Sequence, residues 1–196
     1  MIVAVVLAAG ESSRMGRPKA LLPIEGKSFI ERIVAELERT AVGKIIIVLG
    51  HDAAALRPKI EHLPVTIVVN PDYKKGQLSS LQAAVRYLSS APPVEGMLVH
   101  LVDHPYLNAA LVDSMIRRFY ESHPAIVVPR YGGRRGHPVI FSASLFDELL
   151  EAPLEEGAKA VVNAHRDATV EVETAEAGIT IDIDTPDEYR HHVKGD

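Results

Sequence analysis

The chain has 196 residues, 47% of them apolar, with 21 Lys and Arg against 26 Asp and Glu for a net charge of −5 with His neutral. That length allows one α/β domain with a sizeable core, and the apolar content excludes a disordered chain; with no cysteine, disulfides and thiolate metal sites are excluded too. An acidic balance without a basic stripe, few aromatic residues and no Trp argue against a nucleic-acid partner, and no apolar run approaches the ~20 residues of a membrane span.

The first apolar run, residues 2–7, has no basic segment before it and leads into a turn, so it reads as a buried strand and not as a signal peptide. The expected location is the cytoplasm, with no membrane contact. The run stops at Ala8, Ala9 and Gly10, and a polar turn, Arg14, Gly16 and Lys19 follow. Small residues at a strand end let backbone N–H groups approach a ligand closely. Backbone donors joined by Arg14 and Lys19 suit a polyanion such as a nucleoside triphosphate. The plainer alternative is a structural turn with solvated cations. The stretch is neither a Walker P-loop nor a G-x-G-x-x-G fingerprint.

Residues 20–24 form a short apolar piece closed by Glu25 and Gly26. Ile30, Ile33, Val34 and Leu37 then fall at helical spacing, and the helix should end near Gly43. Residues 44–49 make a second strand, unbroken by polar residues, as expected when both faces are covered. Residues 53–60 read as a short helix containing Pro58, and 65–69 as a third strand. Asn70 opens a loop holding Gly76, and 78–88 have helical periodicity with Ser79 and Ser80 in the first turn, where free N–H groups and hydroxyls can meet a ligand. Residues 96–102 form a fourth strand that ends at Asp103.

Asn108 is placed to cap a helix whose apolar face carries Leu111, Val112, Met115, Ile116 and Phe119. A strand at 125–128 leads into the Gly- and Arg-rich loop 129–138, read as a possible hairpin. A strand at 139–141, helices at 144–150 and 154–165, the latter interrupted at Gly157, strands at 169–173 and 179–183 and a terminal helix at 187–193 complete the chain. With no linker, no repeat and strands alternating with helices, residues 1–196 read as one domain with a mainly parallel sheet covered on both faces.

In such sheets ligands sit beyond the carboxyl ends of the strands. Gly10, Gly50 and His51, Asn70, Asp103 and Asp184 each follow an apolar run directly. Asp103 and Asp184 are suited to a hard cation such as Mg²⁺, which takes one or two carboxylates together with water and phosphate oxygens. The alternative is that each caps the helix or turn that follows it. His51, His104 and His137 lie at strand ends or in loops, without a metal-ligand spacing, and no G-x-S-x-G elbow supports a Ser-His-Asp triad. Arg130, Arg134 and Arg135 can grip an anion or simply face water.

The segments LAAGESSRMGRPK, NPDYKKGQLSSL, VDHP, RRGHPVIF and DIDTPDEY, in this order along the chain, resemble those of the MobA-like NTP transferases. Within that family the LAAG, GHP and DTP forms look most like the molybdenum cofactor cytidylyltransferases. The resemblance implies a Rossmann-like three-layer α/β nucleotidyltransferase fold and a Mg²⁺-dependent transfer of a nucleoside monophosphate from an NTP, CTP here, to a phosphorylated acceptor, molybdopterin, with release of pyrophosphate. It also implies roles. Leu7, Ala8, Ala9 and Gly10 would hold base and phosphates by backbone. Arg14 and Lys19 would neutralise the triphosphate, with Asp103 as a further catalytic group. Asn70, Gly76, Ser79 and Ser80 would line the nucleoside pocket, Asp103 and Asp184 would bind Mg²⁺, and Arg135 and His137 would lie on the acceptor side. Contact with a molybdoenzyme or its chaperone is a further implication. Val102 and His104 depart from the Gly and the Gln or Met that often flank the strand-end Asp in the family. That leaves open a sugar or polyol phosphate as acceptor, or a non-catalytic nucleotide-binding or cofactor-delivery role.

Overall fold

The computed structural model describes residues 1–194. Its main sheet is built from β1 (Ile2–Ala8), β4 (Lys44–Leu49), β5 (Thr66–Val69), β6 (Gly96–Leu101), β7 (Ile126–Tyr131), β8 (Arg134–Arg135), β9 (Val139–Ser142) and β10 (Thr169–Glu173); β2 (Pro23–Ile24) and β3 (Lys27–Ser28) form a separate ribbon. The spatial order is β10-β7-β9-β6-β1-β4-β5, with β8 paired to β7. β1 lies in the middle and is parallel to β4 and β6, with Val3 beside Lys44 and Ile2 beside Gly96. β4 and β5 are also parallel, as are β7 and β10, whereas β9 runs antiparallel to both β6 and β7. The sheet is therefore mainly parallel, with one reversed strand inserted between β6 and β7.

Every residue of β1 is buried, and its side chains alternate between two layers, as the period of a strand requires. Ile2, Ala4, Val6 and Ala8 join Ile47, Leu49 and Leu98 under α1 (Phe29–Leu37), α2 (Ala53–Ile60) and α4 (Ala109–Ser122). Val3, Val5 and Leu7 join Ile46, Val48, Met97 and Val99 under α3 (Gln77–Ser89), α5 (Phe146–Glu151) and α6 (Lys159–Ala164). The result is a three-layer α/β architecture. A smaller cluster of Met15, Leu22, Ile24, Phe29, Ile183 and Tyr189 ties the loop after β1 to the last short helix, α7 (Pro186–Tyr189). No helix among the described residues is long and apolar enough to cross a membrane.

Local chemistry explains the boundaries. Ser28 and Glu31 form a capping box at the start of α1, and Asn108 accepts from the Leu111 N–H at the start of α4. The 129–138 loop is a hairpin: Gly132 and Gly133, both at positive φ, make the two-residue turn between β7 and β8.

Three expectations are revised. Residues 179–183 are not a strand; Ala177–Thr180 form a 3₁₀ turn, and the alternating Ile179 and Ile183 serve two separate clusters. The helix expected over 154–165 shrinks to α6, because a turn closed by Pro153 and positive-φ Gly157 precedes it. The terminal helix shortens to α7, followed by a wider π turn over Arg190–Lys194.

Candidate active site at the strand ends

The loop after β1 is shaped by Ser12. Its carbonyl accepts from the N–H groups of Met15 and Gly16 at 3.0 and 3.1 Å, and its hydroxyl accepts from the Lys19 N–H at 3.1 Å. Burial of Met15 in the small third cluster anchors the loop from below. Lys19 is thereby delivered to the sheet end with its side chain only 12% exposed. Its ammonium lies 3.2 Å from Asp103 Oδ2 and also donates to Asp184 Oδ1, while Arg14 Nη2 donates to Asp184 Oδ2 at 2.5 Å.

Neither aspartate is a helix cap. Thr185 caps α7 and Asn108 caps α4, which leaves both carboxylates turned on the same ammonium. The Ile183 N–H donates to the Asp103 carbonyl at 2.9 Å, so the two carboxylate-bearing segments are joined by backbone. The Asp184 N–H and the Thr185 N–H both donate to Glu188 Oε2 at 2.8 Å, which fixes the second segment. Burial pushes the Asp184 carboxyl up, but the hydrogen bonds and charges of Lys19 and Arg14 outweigh it and hold the group below its ordinary value.

A cavity of about 240 Å³ opens beside this cluster. Leu7, Ala8, Ala9, Gly10, Lys19, Gly76, Ser80 and Asp103 line it, together with Tyr73 and Gln77. Asn70 and Ser79 stand behind its wall. The Asn70 amide donates to Ser79 Oγ at 2.9 Å and Ser80 Oγ at 3.0 Å, and its oxygen accepts from the Asp72 N–H at 2.9 Å. All three side chains are buried, and they brace the loop that carries Tyr73, Gly76 and Gln77. Gly50 lets this loop approach β1, since a Cβ there would lie 2.5 Å from Tyr73 Cβ and 2.8 Å from the Ala9 carbonyl oxygen.

A second cavity, of about 470 Å³, meets the first at Leu7, Gln77 and Leu101. Its walls are mainly apolar, with Leu78 and Leu81 of α3, Val99 of β6, Val128 of β7 and Phe141 of β9; Arg135 and His137 also line it. Arg135 is engaged there: its Nε donates to Glu171 Oε1 of β10 at 2.7 Å.

Beside Asp103, three imidazoles lie in a row. His100, at 1% exposure, hydrogen-bonds the His104 carbonyl oxygen through Nε2 at 2.8 Å, which assigns the proton to Nε2. His104 lies 5.0 Å from His137 and 6.3 Å from His100, ring centre to ring centre. Burial, aided by the neighbouring imidazoles, drives His100 down to about 3 and His137 to about 4. Burial also lowers His104, against the pull of Asp103, Asp182 and Asp184. The row is therefore neutral at pH 7. Reading the sequence missed His100, Tyr73 and Gln77. A lone His within the apolar run before Asp103 was the visible signal for the first, and the position of the other two between Asn70 and Ser80 was the signal for them.

Three further observations bear on this geometry. Residues 4–169 match the profile of the MobA-like NTP transferase domain. The molybdenum cofactor cytidylyltransferase of Escherichia coli (strain K12) is 29% identical over 94% of this chain and 92% of its own length, and the molybdenum cofactor guanylyltransferase of Rhizobium meliloti (strain 1021) is 31% identical over 95% and 88%. The solved structure of Rv0371c from Mycobacterium tuberculosis H37Rv is 30% identical and superimposes with a TM-score of 0.86 over 98% of this chain and 97% of that one; it has also been solved in complex with manganese, at 28% identity and a TM-score of 0.82 over 100% and 99%. The chain belongs to the MobA-like NTP transferase family and is a nucleotidyltransferase.

Proposed function

We propose that the protein acts in molybdenum cofactor biosynthesis, moving CMP from CTP to the terminal phosphate of molybdopterin with release of pyrophosphate. The observation that carries this reading is the convergence of Lys19, Asp103 and Asp184 at the sheet end, beside the first cavity. The nucleotide takes the first cavity, with its base and ribose against Leu7–Gly10 and Ser80 and its phosphates toward Lys19 and Arg14. The acceptor takes the second. Its apolar walls of Leu78, Leu81, Val99, Val128 and Phe141 suit the flat ring system of a pterin.

The chemistry asks for alignment and charge neutralisation more than for covalent work. An oxygen of the acceptor phosphate attacks the α-phosphorus, a new P–O bond forms, and the α–β bridging bond breaks. Pyrophosphate departs with the bonding pair. The acceptor phosphate is already ionised at pH 7, so no general base is needed. Lys19 and Arg14 offset the charge that builds on the phosphates.

Asp103 and Asp184 would hold Mg²⁺, for which two uncapped carboxylates facing one cationic point are a fitting donor set, and the ion would supply further neutralisation of the triphosphate. The manganese complex of the Mycobacterium tuberculosis relative supports a divalent ion at this fold. The LAAG form of the first loop supports CTP over GTP.

The test is pyrophosphate release from each of the four NTPs with Mg²⁺, with molybdopterin and separately with a panel of sugar and polyol phosphates as acceptors. Turnover confined to CTP and molybdopterin is expected. Turnover only with a polyol phosphate would remove the acceptor assignment, and nucleotide binding without any release would point to a delivery protein.

A further inference from the structure

One wall of the second cavity is formed by residues 154–159, which bring Glu155, Glu156 and Lys159 to the cavity. Among the described residues none of these three side chains has an ion-pair partner. The contrast with the cavity's other cation is direct, since Arg135 is held by Glu171 at 2.7 Å. Glu171 takes Arg130 as well, at 3.2 Å. His137 is buried and neutral. Lys159 is therefore the one cation lining the cavity, among the described residues, whose charge is not already met by a carboxylate.

Its placement is fixed by the fold. Gly157, at φ +69°, turns the chain after Pro153, and α6 begins at Lys159. Val161 on that helix is 4% exposed and packs in the α3 layer of the core, while Val162 faces the cavity. Lys159 thus stands on an anchored helix. Its aliphatic stem can lie along apolar wall while the ammonium meets a ligand's charge.

We propose that Lys159 is the residue that selects the acceptor by pairing with its anionic group, a role for which Arg135 is not free, and that Glu155 and Glu156 receive N–H donors from the acceptor's ring edge. This deepens the acceptor reading above and rests on it. A carboxylate accepts only, so the two glutamates favour a ring rich in N–H groups, while Lys159 demands a negative charge on the same molecule. An uncharged heterocycle leaves Lys159 unmet, and a phosphate ester without ring donors leaves the glutamates unmet.

The experiment uses the full chain with molybdopterin as the probe. Equilibrium dialysis is carried out without nucleotide, and steady-state kinetics separately gives KM for CTP and for molybdopterin. Lys159→Ala is expected to weaken molybdopterin binding by about tenfold or more, with KM for CTP moving by less than about twofold. Lys159→Arg should recover most of the loss, and Arg135→Gln should lose less than Lys159→Ala. Thermal melting checks that the variants fold; Lys159 is exposed and lies outside the buried core. Unchanged molybdopterin binding in Lys159→Ala, a larger loss in Arg135→Gln, or a parallel rise in KM for CTP would overturn the assignment alone. Wild-type protein that binds no molybdopterin would overturn the acceptor reading, and this assignment with it.

Discussion

The ammonium of Lys19 lies 3.2 Å from Asp103 Oδ2 while it is also paired with Asp184. One cation holds together two carboxylates that would otherwise repel each other. In the proposed reaction a triphosphate arriving in the adjacent cavity would offer Lys19 a stronger anion and would free both aspartates for a metal. On that proposal the ion pairs are a resting arrangement of the groups that the reaction would use.

Removing either side of this contact should stop the chemistry without unfolding the chain. Lys19→Ala and Asp103→Ala are each expected to slow turnover by roughly 10²–10³-fold, the magnitude typical for deleting one charge-stabilising group at a reacting centre. Both side chains sit at the rim of the cavity and not within a core cluster. Circular dichroism and melting curves should therefore remain close to wild type. Near-normal rates in both variants would remove the two residues from the mechanism.

Metal and nucleotide should bind together. Because Lys19 and Arg14 occupy the aspartates, Mn²⁺ alone is expected to bind more weakly than Mn²⁺ in the presence of CTP. Titration calorimetry with and without CTP measures the difference. Chelation of divalent ions should abolish turnover, and added Mg²⁺ should restore it. Equal Mn²⁺ affinity in both titrations would mean that the carboxylates are open before the nucleotide arrives.

Asn70→Ala should act through the loop. The substitution leaves Ser79, Ser80 and the Asp72 N–H without their shared partner in a buried place, a cost of about 1–3 kcal/mol. The loop carrying Tyr73, Gly76 and Gln77 loosens, so KM for the NTP should rise more than kcat falls. Denaturant melts and steady-state kinetics read the two effects separately. An unchanged KM would mean that the brace does not shape the cavity.

Gly50→Ala tests the close approach directly. A Cβ at this position meets Tyr73 Cβ and the Ala9 carbonyl oxygen, and the second is backbone of the cavity floor. Overpacking of this kind costs about 1–3 kcal/mol. Nucleotide affinity, measured by calorimetry, should fall along with the melting temperature. Wild-type affinity would show that the loop can retreat without affecting the cavity.

Acid should destabilise the fold through the buried imidazoles. His100 and His137 are held near 3 and 4 in the native state by burial, against about 6.5 in an unfolded chain. Between these values the unfolded state binds more protons, so stability is complete above about pH 6.5 and is lost as pH falls toward the native values. Each histidine contributes up to about 1.4 kcal/mol per pH unit in that window. In urea melts from pH 7.5 to 4.5, His100→Leu should start less stable but show a shallower decline. An equal slope in the two proteins would mean that His100 does not carry the effect.

Much of the fold was legible because the core strands are unbroken apolar runs, and the helices covering them show clean 3.6-residue periodicity, as in Ile30, Ile33, Val34 and Leu37. The strand-end polar residues gave the direction of the site, since a parallel sheet gathers its carboxyl ends on one side. The insertion of β9 between β6 and β7 was not legible, because nothing local sets which strand pairs with which. For the same reason the engagement of Arg135 by Glu171 stayed hidden: it depends on β10 pairing with β7. Residues 179–183 alternated like a strand, yet the alternation serves two clusters on different sides of a turn. Lys159 carried no signal until its neighbours in space were known.

The central place of β1 has a consequence for how the protein is made. Ile2–Ala8 is an uncharged, proline-free stretch that needs β4 on one edge and β6 on the other, with Val3 waiting for Lys44 and Ile2 for Gly96. During synthesis this segment emerges before both of its partner strands. Until the ribosome has passed Leu101, one edge and much of both faces stay open to other chains, the condition under which nascent α/β proteins aggregate. The strand that ends at the first cavity is thus also a segment open to aggregation while the chain is being translated.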